Sequence, residues 1–136
     1  MRQKLIMLAV VAACAWTSGA MALTKDEFNT QKDRIEADYK AAKEKCKDLK
    51  ANAKDICMSE AKGVEKVAKV ELDAQYKPSP KADAKVRDAK ADAVYDLAKE
   101  KCDDLAGKPK DTCVKDAKMT HANAKGDAKV SKTPTS

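Results

Sequence analysis

Past the first two dozen residues, apolar positions recur at alternating spacings of four and three. Ile35, Tyr39, Ala42, Cys46 and Leu49 form one such row, the heptad seam of an amphipathic helix whose other positions are Lys, Glu, Asp and Arg. Cys57, Ala61, Val64, Ala68 and Leu72, spaced four, three, four and four, form a second narrow face, with Val67 and Val70 beside it, and predict a helix running to about Tyr76. The third row is Ala91, Tyr95, Ala98, Cys102 and Leu105, broadened by Val94 and Leu97. In the fourth, Cys113, Ala117 and Ala124 keep the phase, but the polar Thr120 stands where the second helix has Val64. β-Branched residues fall in helical phase and never alternate with period two, so the fold class is all-α.

Start and stop signals divide these rows. Thr24 with Glu27 reads as a capping box, flanked by Leu23 and Phe28 as a hydrophobic staple. Pro78-Ser79-Pro80 interrupts the chain, with Ser79 placed to cap the next helix and Pro80 at its first position. Gly107, Pro109 and Asp111 predict a helix end, the next first position and a first-turn acid; Asn52 and Asp55 serve as the weaker turn and cap signals in the first half. From Gly126 the polar, aperiodic residues to Ser136 are expected to be disordered.

Shifting the sequence by 56 residues superimposes positions 37–62 on 93–118 with 14 identities among 26, both cysteine pairs included. This is a tandem duplication. It predicts two helical hairpins, residues 23–77 and 81–125, joined by 78–80 as a hinge between separately foldable halves. The four helices run up-down-up-down as a bundle, or splay about that hinge. Within each copy the cysteines are 11 residues apart, about 16 Å on an unbroken helix, whereas a disulfide needs Cα atoms within about 7 Å. A turn midway brings them level, so the expected pairs are Cys46 to Cys57 and Cys102 to Cys113.

The opening segment carries a different message. Arg2 and Lys4 precede the apolar run Leu5 to Trp16, and Ala20-Met21-Ala22 has the small-x-small form of a cleavage site, which together read as a secretory signal over residues 1–22. An alternative takes Val11-Ala12-Ala13-Cys14 as a lipobox with Cys14 lipidated. Removing Arg2 and Lys4 lowers the formal charge from +6 to +4. The mature chain has no Trp, one Phe and three Tyr, with alanine at most apolar positions, so its core must be thin and disulfides correspondingly valuable. Export implies an oxidising compartment, the periplasm, and the mature chain has no apolar run long enough to span a membrane.

Candidate chemistry is sparse. The four cysteines could instead bind a soft metal such as copper(I), assisted by Met58, Met119 and His121, yet no closely spaced Cys-x-x-Cys pair is present, and disulfides are the preferred reading. His121 is the only histidine and reads as a surface residue. Carboxylates sit among lysines, as in Lys43-Glu44-Lys45 and Lys99-Glu100-Lys101, the pattern of a solvated face. No catalytic residue set or phosphate loop can be assembled, no cofactor is implied, and the chain is expected not to be an enzyme. Aspartates break the basic run 81–90 and aromatics are scarce, which argues against nucleic acid and leaves an envelope protein or an anionic envelope surface as partner. Oligomeric state is left open.

The Leu-Thr-Lys after the signal, Gln31-Lys-Asp-Arg-Ile-Glu-Ala-Asp-Tyr-Lys40, Lys-Asp-Ile-Cys57 with Lys-Asp-Thr-Cys113, and Tyr76-Lys-Pro-Ser-Pro80 resemble a group of small exported, lysine- and alanine-rich proteins of β-proteobacteria, many labelled TolA-like cell-envelope proteins. The resemblance covers nearly the whole mature chain and implies the periplasm without supplying a mechanism. The chain lacks TolA's membrane anchor and any recognisable TolA carboxy-terminal domain, and Ala51-Asn52 stands where the group has Gly-Asn. The expected function is a non-enzymatic periplasmic repeat protein that binds or supports envelope components. The alternative is a metal-handling or thiol-redox protein using the same cysteines.

Overall fold

The structure is a computed structural model describing residues 22–130; the signal segment through Met21, Cys14 included, and residues 131–136 lie outside it. The four expected helices are α1 (Lys25–Lys47), α2 (Ala51–Tyr76), α3 (Pro80–Cys102) and α4 (Gly107–Val130). They form two disulfide-stapled hairpins, with no strand among the described residues.

Local signals explain most boundaries. The Thr24 hydroxyl accepts from the Glu27 backbone N–H at 3.2 Å, and the Glu27 carboxylate accepts from the Thr24 backbone at 2.9 Å, which completes the capping box at the first turn of α1. Those hydrogen bonds hold the Glu27 carboxyl below its usual range. Ser79 caps α3 by accepting from the Ala82 N–H at 3.0 Å, with Pro80 opening the helix. Gly107 takes the left-handed conformation, φ +60°.

The first hairpin turn differs from expectation. Ala51, not Asn52, takes the left-handed conformation (φ +51°), and Lys50 occupies the cap position without a side-chain hydrogen bond. Freed from capping, Asn52 Nδ2 donates to the Glu100 carbonyl at 2.8 Å. This ties the first turn to the last turn of α3 and places both cysteine turns at one end of the molecule. Because α2 and α4 start at Ala51 and Gly107, Asp55 and Asp111 fall beyond the first turns assigned to them. Helix α4 also continues past Gly126 to Val130, so the expected start of a disordered tail is helical.

Each helix packs on its neighbours in the chain: α1 on α2, α2 on α3 and α3 on α4. Among the described residues α1 does not approach α4, so the up-down-up-down order forms an open row. The most extensive interface lies between α2 and α3. Residues 78–80 therefore turn the chain within a packed pair and do not splay two separate halves. The reason is visible at Gly63, where an added Cβ would sit 3.1 Å from the Ala93 Cβ. Glycine against alanine lets these two helices approach closely.

The core is as thin as the composition requires. Cys46, Cys102, Ala61, Ala84, Ala89, Ala91 and Leu72 are buried, and the two cysteines are the largest side chains fully enclosed. Other seam positions are open, with Leu49, Leu105 and above all Val64 exposed. An interior helix of a row has partners on two sides, and the smallest residues meet its second partner. At the end away from the cysteines, the rings of Phe28 and Tyr76 lie 4.6 Å apart and join the start of α1 to the end of α2.

Candidate functional site

Both disulfides have the expected connectivity, with Cα atoms 5.6 Å apart for Cys46–Cys57 and 5.7 Å for Cys102–Cys113. In this oxidised form the sulfurs bond each other and are not thiolate ligands for the metal alternative. Among the described residues no three His, Cys, Asp or Glu side chains converge as a metal-binding group. Met119 is exposed, and His121 is engaged elsewhere.

What the hairpins present is a pair of grooves. The first, about 620 Å³, runs between α1 and α2 over Ile35, Tyr39, Ala42, Ala61, Val64 and Ala68, and reaches the Cys46–Cys57 bridge. The second, about 420 Å³, runs between α3 and α4 over Ala91, Val94, Tyr95, Ala98, Ala117, Thr120 and Ala124. Most of these positions superimpose under the 56-residue shift, Tyr39 on Tyr95 and Val64 on Thr120 among them. The seams foreseen as hairpin interiors are thus groove floors, because alanine side chains are too short to close the space between helices. Each tyrosine carries a lysine one turn on, with Lys43 Nζ 5.3 Å from the Tyr39 ring centre and Lys99 Nζ 5.7 Å from that of Tyr95.

The groove rims have diverged in charge. Asp38, Glu60 and Glu65 line the first, with one lysine, Lys45. Arg87, Lys90 and His121 line the second, and no carboxylate does. Lys69 bonds Glu65 at 2.7 Å, and Lys90 bonds Glu71 at 2.6 Å.

Beside the second groove is an ionic node centred on Asp92, a residue the seam pattern does not single out. Its carboxylate accepts from Lys66 on α2 at 3.0 Å and Lys125 on α4 at 2.8 Å, and lies 2.7 Å from His121 Nε2. The His121 ring stacks on Tyr95 with centroids 4.6 Å apart, so this histidine is partly buried and held, not a free surface group. Burial pushes the Asp92 carboxyl up, but hydrogen bonds from Lys125, His121 and Lys66 outweigh it and leave the carboxyl well below the usual carboxylate range. Lys125 is correspondingly raised by its bond to Asp92. One carboxylate thereby clamps three helices. The duplication held the available signal: Asp92 stands over Glu36, and Lys125 over Lys69, an acid and a base kept at equivalent places in both copies.

None of the described helices is long and apolar enough to cross a membrane. Two disulfides are compatible with an oxidising compartment. No protein-family model, curated protein or solved structure matches the chain.

Proposed function

We propose that this chain is an exported, non-enzymatic periplasmic protein that works as a disulfide-stapled binding or structural module of the cell envelope. The observation that carries the reading is the pair of repeat-related apolar grooves, each left open on a scaffold whose hairpins are covalently closed. A thin-cored protein gains stability by burying apolar side chains, yet Val64 and Val94 stay 65% and 61% exposed. Grooves that keep such side chains in solvent are suited to docking another surface. The secretory pattern of residues 1–22, the disulfides and the resemblance to exported envelope proteins all support the periplasm as the place of action.

Proximity labelling in the periplasm tests this. A labelling enzyme fused to the wild-type chain should tag a reproducible set of envelope components, and Val64→Lys with Val94→Lys should lose that set. Labelling confined to the cytoplasm, or an unchanged set with the groove variants, would overturn it.

A further inference from the structure

The two grooves open on the same side of the row. Gly63 and Ala93 meet where α2 crosses α3. In an antiparallel pair of right-handed helices, the residue after each contact position rotates about 100° toward a common side. Those residues are Val64 and Val94, the two most exposed large apolar side chains described, and each lines its own hairpin's groove. Asp92 precedes the contact residue and turns to the opposite side, where Lys66 reaches it. The row thus has one face on which Asp92 ties three helices together and one largely apolar face that carries both open grooves and is crossed between α2 and α3 by the Lys90–Glu71 ion pair.

We propose that the apolar face is covered by a second copy of this chain, in a two-fold, face-to-face dimer that lays the acid-rimmed groove of one copy on the base-rimmed groove of its partner. This rests on the reading of the grooves as binding surfaces and commits them to one occupant. Charge selects it. Asp38, Glu60 and the Lys69-bonded Glu65 rim the first groove with one lysine, Lys45, whereas Arg87 and the Glu71-bonded Lys90 line the second with no carboxylate. Pairing unlike grooves therefore brings Asp38 and Glu60 toward Arg87, whereas pairing like grooves sets like charges together. A two-fold axis parallel to the helices, passing between α2 and α3, produces the unlike pairing. It sets α1 over the partner's α4 and α2 over the partner's α3. Both cysteine turns lie at one end, as the Asn52–Glu100 bond shows, so this axis keeps the grooves level and sets Val64 near Val94 of the partner.

Area permits it as well. Helices of 23 to 26 residues are about 35 Å long, and four of them about 9 Å apart form a face of roughly 1,000 Å². A stable interface needs about 800 Å² on each side. The duplication also gains a reason to diverge. Copies with identical rims would repel in this pairing, whereas Glu65 in the first copy has become His121 in the second, and Asp38 has become Val94.

Sedimentation equilibrium of the exported protein, disulfides intact, should give twice the mass of one chain, with association weakening as salt rises. Arg87→Glu should raise the dimer dissociation constant at least about tenfold, and adding Asp38→Lys should restore it. Both positions are exposed, and unchanged helical circular dichroism checks that each variant folds. A single-chain mass at all concentrations, a mass above two chains, indifference to the Arg87 reversal, or failure of the compensating Asp38 reversal would each overturn the dimer. A single chain that co-sediments with phosphatidylglycerol vesicles would overturn it in favour of a membrane surface. Those results leave the binding reading to its own test, the loss of periplasmic labelling.

Discussion

Replacing Ala51 by glycine stabilises the fold, and replacing Gly107 by alanine does the reverse. Ala51 stands at φ +51° and Gly107 at φ +60°, equivalent positions of the two copies. A residue bearing a Cβ is about 1–2 kcal/mol less stable in the left-handed region than in the right-handed one. Glycine relieves that strain but enlarges the conformational freedom of the unfolded chain, which offsets about 0.4–1 kcal/mol. The net expectation is a gain of about 0.5–1 kcal/mol for Ala51→Gly. A Cβ at Gly107 would meet nothing within 4 Å, so Gly107→Ala should lose a similar amount through the backbone alone. For a domain of this size the shifts correspond to roughly 2–6 °C in Tm, measured by thermal melting of helical circular dichroism with the disulfides oxidised. The double variant should melt near the wild type, since distant sites add. An unchanged or lowered Tm for Ala51→Gly, or shifts of one sign for both variants, would refute the reasoning.

Four further outcomes follow. Gly63→Val should cost about 1–3 kcal/mol in denaturant unfolding by forcing α2 from Ala93, whereas equal stability would mean that the close approach is not required. Asp92→Asn should cost about 1 kcal/mol at neutral pH; the folded carboxyl is depressed, so its contribution is complete above the unfolded value near pH 4 and is lost as the pH falls further, and the gap between wild type and variant should narrow in acid. The native protein should show no free thiols among residues 23–136 and only within-copy pairs in non-reducing peptide maps, and reduction should remove about 2–4 kcal/mol per bridge, seen as a fall in helical circular dichroism; stoichiometric copper(I) binding by the native protein would favour the metal alternative. The mature chain should begin at Leu23 by intact mass, and a diacylated or triacylated Cys14 would place it on a membrane instead.

The helices, their order and both disulfides were legible because each rests on a local signal: the Thr24–Glu27 box, Ser79-Pro80, Gly107 and cysteines equidistant from their turns. What escaped depends on which helix faces which. A seam of Val64, Ala68 and Leu72 names one buried side, yet α2 has two neighbours, and its contact with α3 is carried by Gly63, which a search for large apolar residues ignores. The seam therefore places Val64 in an interior, whereas it lies on the open face. The same preference for large groups hid Asp92, one carboxylate among many on paper, whose role needs Lys66 from one helix and Lys125 from another. Asn52 has the sequence context of a local cap, and its long-range acceptor, the Glu100 carbonyl, leaves no mark in the sequence.

Packing each helix only on its neighbours in the chain also sets the order in which the molecule can assemble. Among the described residues every helix interface joins consecutive elements, so no early segment waits for a distant one, the condition for rapid folding with few wrong turns. For a chain delivered amino end first, the hairpin of α1 and α2 can close before α3 arrives. Cys57 and Cys102 are 45 positions apart, so the first bridge can oxidise while its only available partner is the correct one. Given that order of delivery into an oxidising compartment, the serial layout would give the thiols a timetable, in which arrival time and not later reshuffling limits mispairing among the four cysteines.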